Sequence, residues 1–340
     1  MSVLATAPGK LVLTGEYAVL EGAPALVLAL DRRARVTLDA VAEDVFVIDA
    51  PDLGVHDAVA YLDGHRHLIF DNAEPGSREV LGVAVSVIES CAAAGALPGF
   101  RVALDTHCFF SSGERRKFGL GSSAALAVAL GGALLAHAGL GPPSASALIA
   151  AHRAAQGGHG SGLDIAASLS GGVIEYRLRN GQPQITRASW PDELLFSCAW
   201  SMQDASTGVF LRGLAAWRDG EPARYDALMR ELAMCASTAA AALREHDVVA
   251  LLEAVDAYAL GLSRLGRASG LDIVSAEHRT LAAVALTCGV TYKPCGAGGG
   301  DIGIALTTDA YRMRAFRHGV VQAGLQCLDM RLEPIGLQVN

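Results

Sequence analysis

The chain has 340 residues, of which 51% are hydrophobic and 18% charged, so it is long enough for one large domain or two lobes. Its formal net charge is −8 and it has no lysine or arginine run of useful length, which argues against a nucleic-acid-binding surface. The cysteines are scattered without a Cys-x-x-Cys pair, and the first residues lack the layout of a signal peptide. We therefore predict a cytoplasmic protein with reduced thiols, no membrane span and no nucleic-acid partner.

The first half of the chain is predicted to consist mainly of strands. Apolar and β-branched runs between glycine and proline residues indicate them. The predicted strands are 3–13, 25–38, 45–49, 100–105 and 173–178, with a return strand from about 185 after the hairpin signal Asn180-Gly181. Apolar residues at helical spacing predict helices at 79–94, 126–136 and 144–155.

The second half of the chain has a different sequence pattern, which predicts long helices and a small sheet. The predicted helices are 223–243, 248–265 and 310–323, and the predicted strands are 196–202, 290–293, 302–306 and 328–332. The change near residues 180–195 predicts an α+β architecture of two lobes.

Segment 117–125 carries the strongest functional signal, because it reads Lys-Phe-Gly-Leu-Gly-Ser-Ser-Ala-Ala and leads into an apolar helix. Glycines let backbone N–H groups crowd around an anion, and a helix N-terminus carries partial positive charge. The spacing fits neither a Walker loop nor a dinucleotide-binding fingerprint. The segment is either a phosphate site or a glycine-rich turn that caps a core helix.

Two further glycine loops carry charged residues. Lys10 follows Pro8-Gly9 and leads into a strand, where it is either a phosphate-binding point charge or a surface lysine. Residues 293–301 read Lys-Pro-Cys-Gly-Ala-Gly-Gly-Gly-Asp, which suits close approach to a ligand. A plain hairpin tip is the alternative for this third loop.

Asp164 opens a small-residue helix after the Gly160-Ser161-Gly162 loop. It is either an acid that interacts with the helix dipole or a carboxylate that orients a hydroxyl attacking a phosphate. His152 and His159 lie nearby in sequence, but no third ligand is spaced for zinc.

Together these segments resemble the motifs of the GHMP kinase superfamily, which includes galactokinase, homoserine kinase, mevalonate kinase and phosphomevalonate kinase. The resemblance runs from Ala7 to Ala305. It implies an α+β GHMP kinase fold, with an ATP-binding N-terminal lobe like ribosomal protein S5 domain 2 and a ferredoxin-like C-terminal lobe. We expect these lobes to be domains comprising 1–185 and 186–340, with ATP between them.

Within the superfamily, the motifs are most similar to those of phosphomevalonate kinases. Segment 15–20, Gly-Glu-Tyr-Ala-Val-Leu, and the basic residue and Phe at 117–118 follow that pattern. Arg153 stands where mevalonate kinases usually place a magnesium-binding Glu. Asp301 ends the third loop, as is typical of phosphomevalonate kinases.

The resemblance assigns roles position by position. Lys10 would stabilise the transferred phosphate, and Asp164 would orient or deprotonate the attacking oxygen. The other expected site residues are Lys117, Gly119, Leu120, Gly121, Ser122, Ser123 and Ala124 for ATP, Ser122 and Ser123 for Mg²⁺, and Tyr17, Arg116, Lys117, Ser161, Ser206, Thr207, Cys295, Gly296, Ala297 and Gly298 for the substrate. Two residues depart from the family pattern: Cys295 replaces a Ser beside the expected substrate phosphate, and Met202 replaces a Gly and would narrow the same pocket.

The implied activity is ATP- and Mg²⁺-dependent phosphorylation of (R)-5-phosphomevalonate to 5-diphosphomevalonate, in the mevalonate route to isoprenoids. The alternatives are mevalonate kinase, the related decarboxylase, and kinases for sugars or other small alcohols. A non-catalytic binding module would be expected to lose Lys10 or Asp164, and both are present. The expected partner is a small phosphorylated molecule, and the resemblance also allows a homodimer.

Overall fold

Two β-sheets organise the protein, whose computed structural model describes residues 2–71, 76–113, 115–205 and 207–340. The strands are β1 (Ser2–Thr14), β2 (Ala25–Ala40), β3 (Phe46–Ala50), β4 (Val55–Leu62), β5 (Leu68–Phe70), β6 (Phe100–Asp105), β7 (Val173–Arg179), β8 (Gln182–Ala188), β9 (Leu195–Trp200), β10 (Thr291–Pro294), β11 (Ile302–Thr307), β12 (Gln326–Leu328) and β13 (Gln338–Val339). The helices are α1 (Ser77–Val80), α2 (Gly82–Ala94), α3 (Ser122–His137), α4 (Ala145–Ala155), α5 (Leu163–Ser170), α6 (Thr207–Gly220), α7 (Pro222–Glu245), α8 (Val248–Ser269), α9 (Ala276–Cys288) and α10 (Ala310–Gln322).

The larger sheet contains nine of these strands. Their order is β13-β1-β2-β6-β3-β4-β5, with β7 paired to β2 and β8 paired to β7. The pairs are antiparallel except for β3 with β6. Strand β2 has 16 residues, pairs with β6 along 35–40 and pairs with β7 along 25–28. This long strand therefore joins the two parts of the sheet.

Helix α3 packs against β1 and β2, and every residue from Ala124 to Leu134 is buried. Small residues let its neighbours approach closely, since a Cβ on Gly131 would lie 2.7 Å from Leu148 and one on Gly132 would lie 2.8 Å from Leu337. Contacts on several sides hold the helix in place. Although α3 is apolar, neither it nor any other helix in the described ranges is long and apolar enough to cross a membrane.

The smaller sheet has the order β10-β11-β9-β12 and is antiparallel throughout. Helices α9 and α10 pack against it through Leu281 and Phe316, which belong to one apolar cluster with Tyr292 of β10. The β10–β11 hairpin carries the third glycine loop at its tip. The long helices α7 and α8 pack against each other and cover Tyr17 and Ala18, so they support the first glycine loop.

The α+β class is confirmed, and most predicted elements are present. The segment 79–94 is helical, mostly as α2, and Asn180-Gly181 connects the β7–β8 hairpin. The strand predicted at 328–332 is wrong, because β12 ends at Leu328. The chain beyond it turns back to the larger sheet, where the Arg331 carbonyl and the Glu333 N–H bond to the backbone of β2.

The division into domains 1–185 and 186–340 stays a prediction. The expected boundary lies inside β8, and the chain enters the smaller sheet at β9. The last strand, β13, returns to pair with β1. The larger sheet therefore contains strands from both expected domains.

We expect Gly336→Ala to destabilise the fold by about 1–3 kcal/mol, because overpacking forces backbone shifts. The added Cβ would lie 2.1 Å from the Leu169 carbonyl oxygen, at the end of α5. Urea denaturation followed by circular dichroism measures the change. Gly220→Ala is the matched control, since nothing lies within 4 Å of its added Cβ. Equal stability of the two variants would contradict the packing of the returning chain against α5.

Candidate functional site

The predicted motifs converge on one cleft of about 270 Å³. It joins residues from β1, from the glycine loop before α3, from the start of α5 and from the tip of the β10–β11 hairpin. The expected site residues in its wall are Lys10, Tyr17, Lys117, Gly119, Leu120, Gly121, Ser122, Ser123, Ser161, Asp164, Thr207, Gly296 and Ala297.

Lys10 reaches the cleft because β1 runs close to the glycine loop. The register of β1 against β2 shifts just before Gly9, and the Lys10 N–H donates to the Leu120 carbonyl at 2.9 Å. Position 9 must be small, since a Cβ there would lie 2.7 Å from the Phe109 ring and 2.9 Å from the Leu120 oxygen. The Lys10 side chain lies beside Gly121, where an added Cβ would come within 3.1 Å of it. The lysine therefore crosses the N-terminus of α3.

The N-terminus of α3 opens onto the cleft. Gly119 and Gly121 have φ angles of +77° and +74°, in the left-handed region that favours glycine. Ser122 and Ser123 begin the helix, and Ser123 Oγ lies 3.1 Å from Nε2 of the buried His152. The first N–H groups of a helix have no partner within it, so they are available to an anion in the cleft.

Asp164 lies in the first turn of α5, after a loop that is tied down. Gly162 precedes the helix with a φ angle of +85°, and Asp164 Oδ1 accepts a hydrogen bond from the next backbone N–H at 3.1 Å. Arg153 donates to the carbonyl oxygens of Gly160 and Ser161, both at 2.8 Å. The guanidinium thus fixes the loop that presents Asp164 to the cleft.

A buried ion pair joins the first motif to the third. Lys293 is fully buried, and its Nζ donates to Glu16 Oε1. The Tyr17 hydroxyl donates to the Ala297 carbonyl, and the Tyr258 hydroxyl donates to the Glu16 carbonyl. Burial, assisted by the Glu16 charge, raises the pKa of Tyr17, so its hydroxyl stays protonated as a donor. Removing one partner of a buried ion pair costs about 3–5 kcal/mol, because the other charge is left buried without compensation, so Glu16 and Lys293 depend on each other.

Asp301 lies directly against the glycine loop. Its φ angle is +59°, its N–H donates to the Gln203 carbonyl at 2.8 Å, and its Oδ1 accepts from the Ala205 N–H at 3.3 Å. Its Oδ2 lies 2.4 Å from the place that a Cβ on Gly119 would take. Burial raises the pKa of Asp301 to about 6, although the Ala205 hydrogen bond and the Lys10 charge act in the opposite direction.

Several expected site residues do not line this cleft. Ala124 is fully buried inside α3, and Gly298 is buried against the Ile273 backbone. Arg116 lies in the wall of a second cleft, beside the 107–118 segment and β12, and donates to the Met202 carbonyl at 2.8 Å. Ser206 lies outside the described residues.

The two residues that depart from the family pattern are also absent from the cleft wall. Cys295 is 6% exposed, and its Sγ lies 3.9 Å from Lys293 Nζ. Burial raises the pKa of Cys295 to about 11, so the thiol stays protonated. Met202 has a φ angle of +61° and faces the second cleft, so it does not narrow the cleft that contains Lys10 and Asp164.

Sequence reasoning did not assign Glu16, Lys293 or Asp301 to the site, although each lies inside a motif it had singled out. One signal was available for Lys293. The sequence contains three lysines, Lys10, Lys117 and Lys293, and each lies in one of the three glycine motifs. The remaining basic residues are arginines, so the three lysines mark positions that require an ammonium group.

The arrangement has the groups that phosphoryl transfer needs. An ammonium group and a helix N-terminus lie beside the glycine loop in the cleft wall, and glycine at 119 and 121 lets the Asp301 and Lys10 side chains approach that loop closely. A carboxylate, Asp164, lines the same cleft. These groups suit electrostatic stabilisation of a transferring phosphoryl group and orientation of its acceptor.

Known proteins share both the sequence pattern and the fold. The family model described as GHMP kinases N terminal domain matches residues 80–172. The chain is 32% identical to a phosphomevalonate kinase of Streptomyces sp., over 93% of this chain and 92% of that protein. It is 31% identical to a mevalonate kinase of Aeropyrum pernix, over 95% of this chain and 91% of that protein. The fold is similar to that of Streptococcus pneumoniae phosphomevalonate kinase in complex with phosphomevalonate and AMPPNP, with a TM-score of 0.76, 21% identity and coverage of 97% and 99%.

We expect Asp301→Asn to stabilise the unliganded protein in a pH-dependent way. Because the pKa of Asp301 is raised to about 6, the native state binds more protons than the unfolded state between about pH 4 and that value. The stability that depends on this carboxyl therefore falls as the pH rises through that window. The variant should gain about 1–2 kcal/mol over wild type at about pH 7.5 and almost nothing at about pH 4. Asparagine tolerates the left-handed backbone.

Urea denaturation in buffers that span this window measures the difference. Asp192→Asn, at an exposed position whose charge does not affect the Asp301 pKa, is the control for a general change of charge. The same difference from wild type at every pH would show that burial of the Asp301 carboxyl does not affect stability in the expected way.

Proposed function

The chain belongs to the GHMP kinase family, and on that premise we propose that it is an ATP-dependent kinase that phosphorylates (R)-5-phosphomevalonate to 5-diphosphomevalonate. The observation that carries the proposal is the convergence of Lys10, the N-terminus of α3 and Asp164 on one cleft. The Streptomyces relative, a phosphomevalonate kinase matched over most of both chains, supports this choice of acceptor. A cytoplasmic location and a homodimer remain predictions.

The 119–123 loop and the start of α3 would bind the triphosphate. In the transition state, negative charge is spread over the equatorial oxygens of the transferring phosphoryl group. Positively charged or N–H groups next to these oxygens lower the activation barrier for the transfer. Lys10 crosses this helix N-terminus, so we assign that stabilisation to its ammonium group. Ser122 and Ser123 are the hydroxyls that we propose for Mg²⁺, which supplies charge neutralisation on the nucleotide when bound.

Asp164 would orient the acceptor. The attacking oxygen belongs to a phosphate whose second pKa is about 6, so it is already largely ionised near neutral pH. Asp164 therefore acts by placing the acceptor, and proton removal contributes little. The other groups that we assign to the acceptor are Tyr17, Lys117, Ser161, Thr207, Gly296 and Ala297, all of which line the cleft.

Mevalonate kinase is the second candidate function. It is favoured by the Aeropyrum pernix relative, which is 31% identical over 95% of this chain. The loops for ATP would serve both reactions, but mevalonate carries no phosphate for Lys117 to bind. Arg153 supports the first candidate, since it stands at the position of the usual mevalonate kinase Glu and bonds to carbonyl oxygens of the 160–161 loop.

The test is a panel of acceptors offered to the purified protein with ATP and Mg²⁺. ADP release is followed by a coupled assay with phosphomevalonate, mevalonate and diphosphomevalonate. We expect turnover of phosphomevalonate with a kcat/KM at least about tenfold higher than for mevalonate, since a lost charged contact is worth about 1.5–3 kcal/mol. Absence of phosphomevalonate turnover would overturn the assignment, and turnover of mevalonate in its place would establish the second candidate. CO₂ release from diphosphomevalonate would instead identify a decarboxylase.

We expect Lys10→Met to lower kcat about 10²–10³-fold while the KM for ATP changes less than about threefold, because the ammonium group acts mainly on the transition state. Asp164→Asn should also lower kcat, with the KM for ATP unaffected. Steady-state kinetics of both variants check this, with Arg230→Met on the exposed side of α7 as the control. A raised KM for ATP with unchanged kcat would assign Lys10 to ground-state binding, and full activity of Asp164→Asn would remove the carboxylate from the mechanism.

A further inference from the structure

Asp301 occupies a place where a carboxylate is electrostatically unfavourable for a nucleotide. Its Oδ2 faces Gly119 of the loop that we assign to the triphosphate, and the residue lines the same cleft. Two anions in such a site repel each other unless a cation lies between them. Asp301 is therefore either a hindrance to the nucleotide or part of the site for a bound cation.

The Asp301 carboxyl is held in place by its backbone. The Asp301 N–H donates to Gln203, the Ser201 N–H donates to the Asp301 carbonyl at 2.9 Å, and the Ala205 N–H binds Oδ1. These bonds keep a non-glycine residue in the left-handed region, at a φ angle of +59°. Such strain persists where the surrounding structure imposes it, often at ligand sites. The second carboxylate oxygen thus points at the phosphate loop without rearrangement.

Helix α4 does not offer a carboxylate for a metal ion at the expected position. Arg153 occupies it, and its guanidinium has donors but no acceptor, so it cannot ligate a cation. Within the described ranges, no group of three or more His, Cys, Asp or Glu could hold a metal. A site shared with the nucleotide fits this donor set, because Mg²⁺ is commonly bound by one or two carboxylates together with substrate phosphates.

We propose that Asp301 supplies the carboxylate ligand of Mg²⁺ in the nucleotide complex, together with the Ser122 hydroxyl. The inference rests on the proposed use of ATP in this cleft. Of the two hydroxyls proposed above for Mg²⁺, Ser122 begins α3 three residues after Gly119, whereas Ser123 is paired with His152, so we narrow the assignment to Ser122. Asp301 comes from the hairpin of the smaller sheet, whereas Ser122 begins α3, which packs against the larger sheet. The cation would therefore bridge the two sides of the cleft.

An alternative role for Asp301, neutralising nearby lysines, predicts the opposite effect on ligand binding when its charge is removed. If Asp301 only neutralised Lys10 and Lys117 before the nucleotide binds, removing its charge would strengthen nucleotide binding with or without a metal. If Asp301 ligates the cation, removing its charge weakens metal binding in the nucleotide complex. The sign of the effect separates the two roles.

The experiment uses the full chain, AMPPNP and Mn²⁺, whose free concentration is read by electron paramagnetic resonance. Wild type, Asp301→Asn and the control Asp192→Asn are titrated with Mn²⁺ at saturating AMPPNP. Asp301→Asn should weaken Mn²⁺ binding about tenfold or more, which is the loss in affinity typical of a change in the residues around a metal ion. The binding of AMPPNP without metal should be no weaker than in wild type. Asp192→Asn should stay within about twofold of wild type, since Asp192 is exposed and lies outside the cleft wall.

Unchanged Mn²⁺ affinity in Asp301→Asn, or tighter AMPPNP binding both with and without metal, would overturn the proposal. The measurement needs no phosphoryl acceptor, so it is independent of the acceptor assay. A protein that fails to phosphorylate phosphomevalonate but loses Mn²⁺ affinity in Asp301→Asn would keep this inference and refute the proposed substrate. If wild type does not bind AMPPNP, both the inference and the kinase assignment fail. Circular dichroism melts establish that each variant is folded.

Discussion

The close approach of β1 to the glycine loop is the constraint on which the cleft depends. Position 9 has no room for a side chain, and this lets the Lys10 N–H bond to the Leu120 carbonyl. The same contact brings the lysine across the N-terminus of α3. In a chain with a formal net charge of −8, positive potential has to be concentrated locally, and backbone N–H groups with one ammonium achieve this without a basic surface.

The space and the hydrogen-bond partners around a position also determine whether lysine or arginine occurs there. Lysine occurs at three positions, although lysine and arginine together number 27. At the buried position 293, an ammonium group finds Glu16 Oε1, the Cys295 sulfur and the face of Tyr258. A guanidinium would bring five donors into the same space and leave several unpaired, which is costly in a buried environment. The shape of the buried pair thus requires lysine, and the pair in turn fixes the first motif against the third.

Local signals predicted the parts of the fold that are locally determined. The 119–123 loop, α3 and the start of α5 follow from glycine placement and apolar spacing, and they hold Lys10 and Asp164 where the motifs suggested. The pairing of β13 with β1 was not predictable, because two residues in extended conformation carry no periodicity and their partners lie at the other end of the chain. The burial of Cys295 escaped prediction for a similar reason, since a motif position does not reveal which way a side chain points.

Three contacts join segments far apart in sequence across the cleft: Glu16 with Lys293, Tyr17 with Ala297, and Asp301 with the loop at Gly119. The first two are hydrogen-bonded, whereas the third buries a carboxylate at the expense of stability. Proteins retain such unfavourable groups where function needs them, and stability is recovered when a ligand binds the native state alone. A cation held between Asp301 and a nucleotide would restore the lost stability, because it removes the repulsion between the carboxylate and the phosphates and links both sides of the cleft. Ligand binding and the integrity of the fold would then depend on the same few residues.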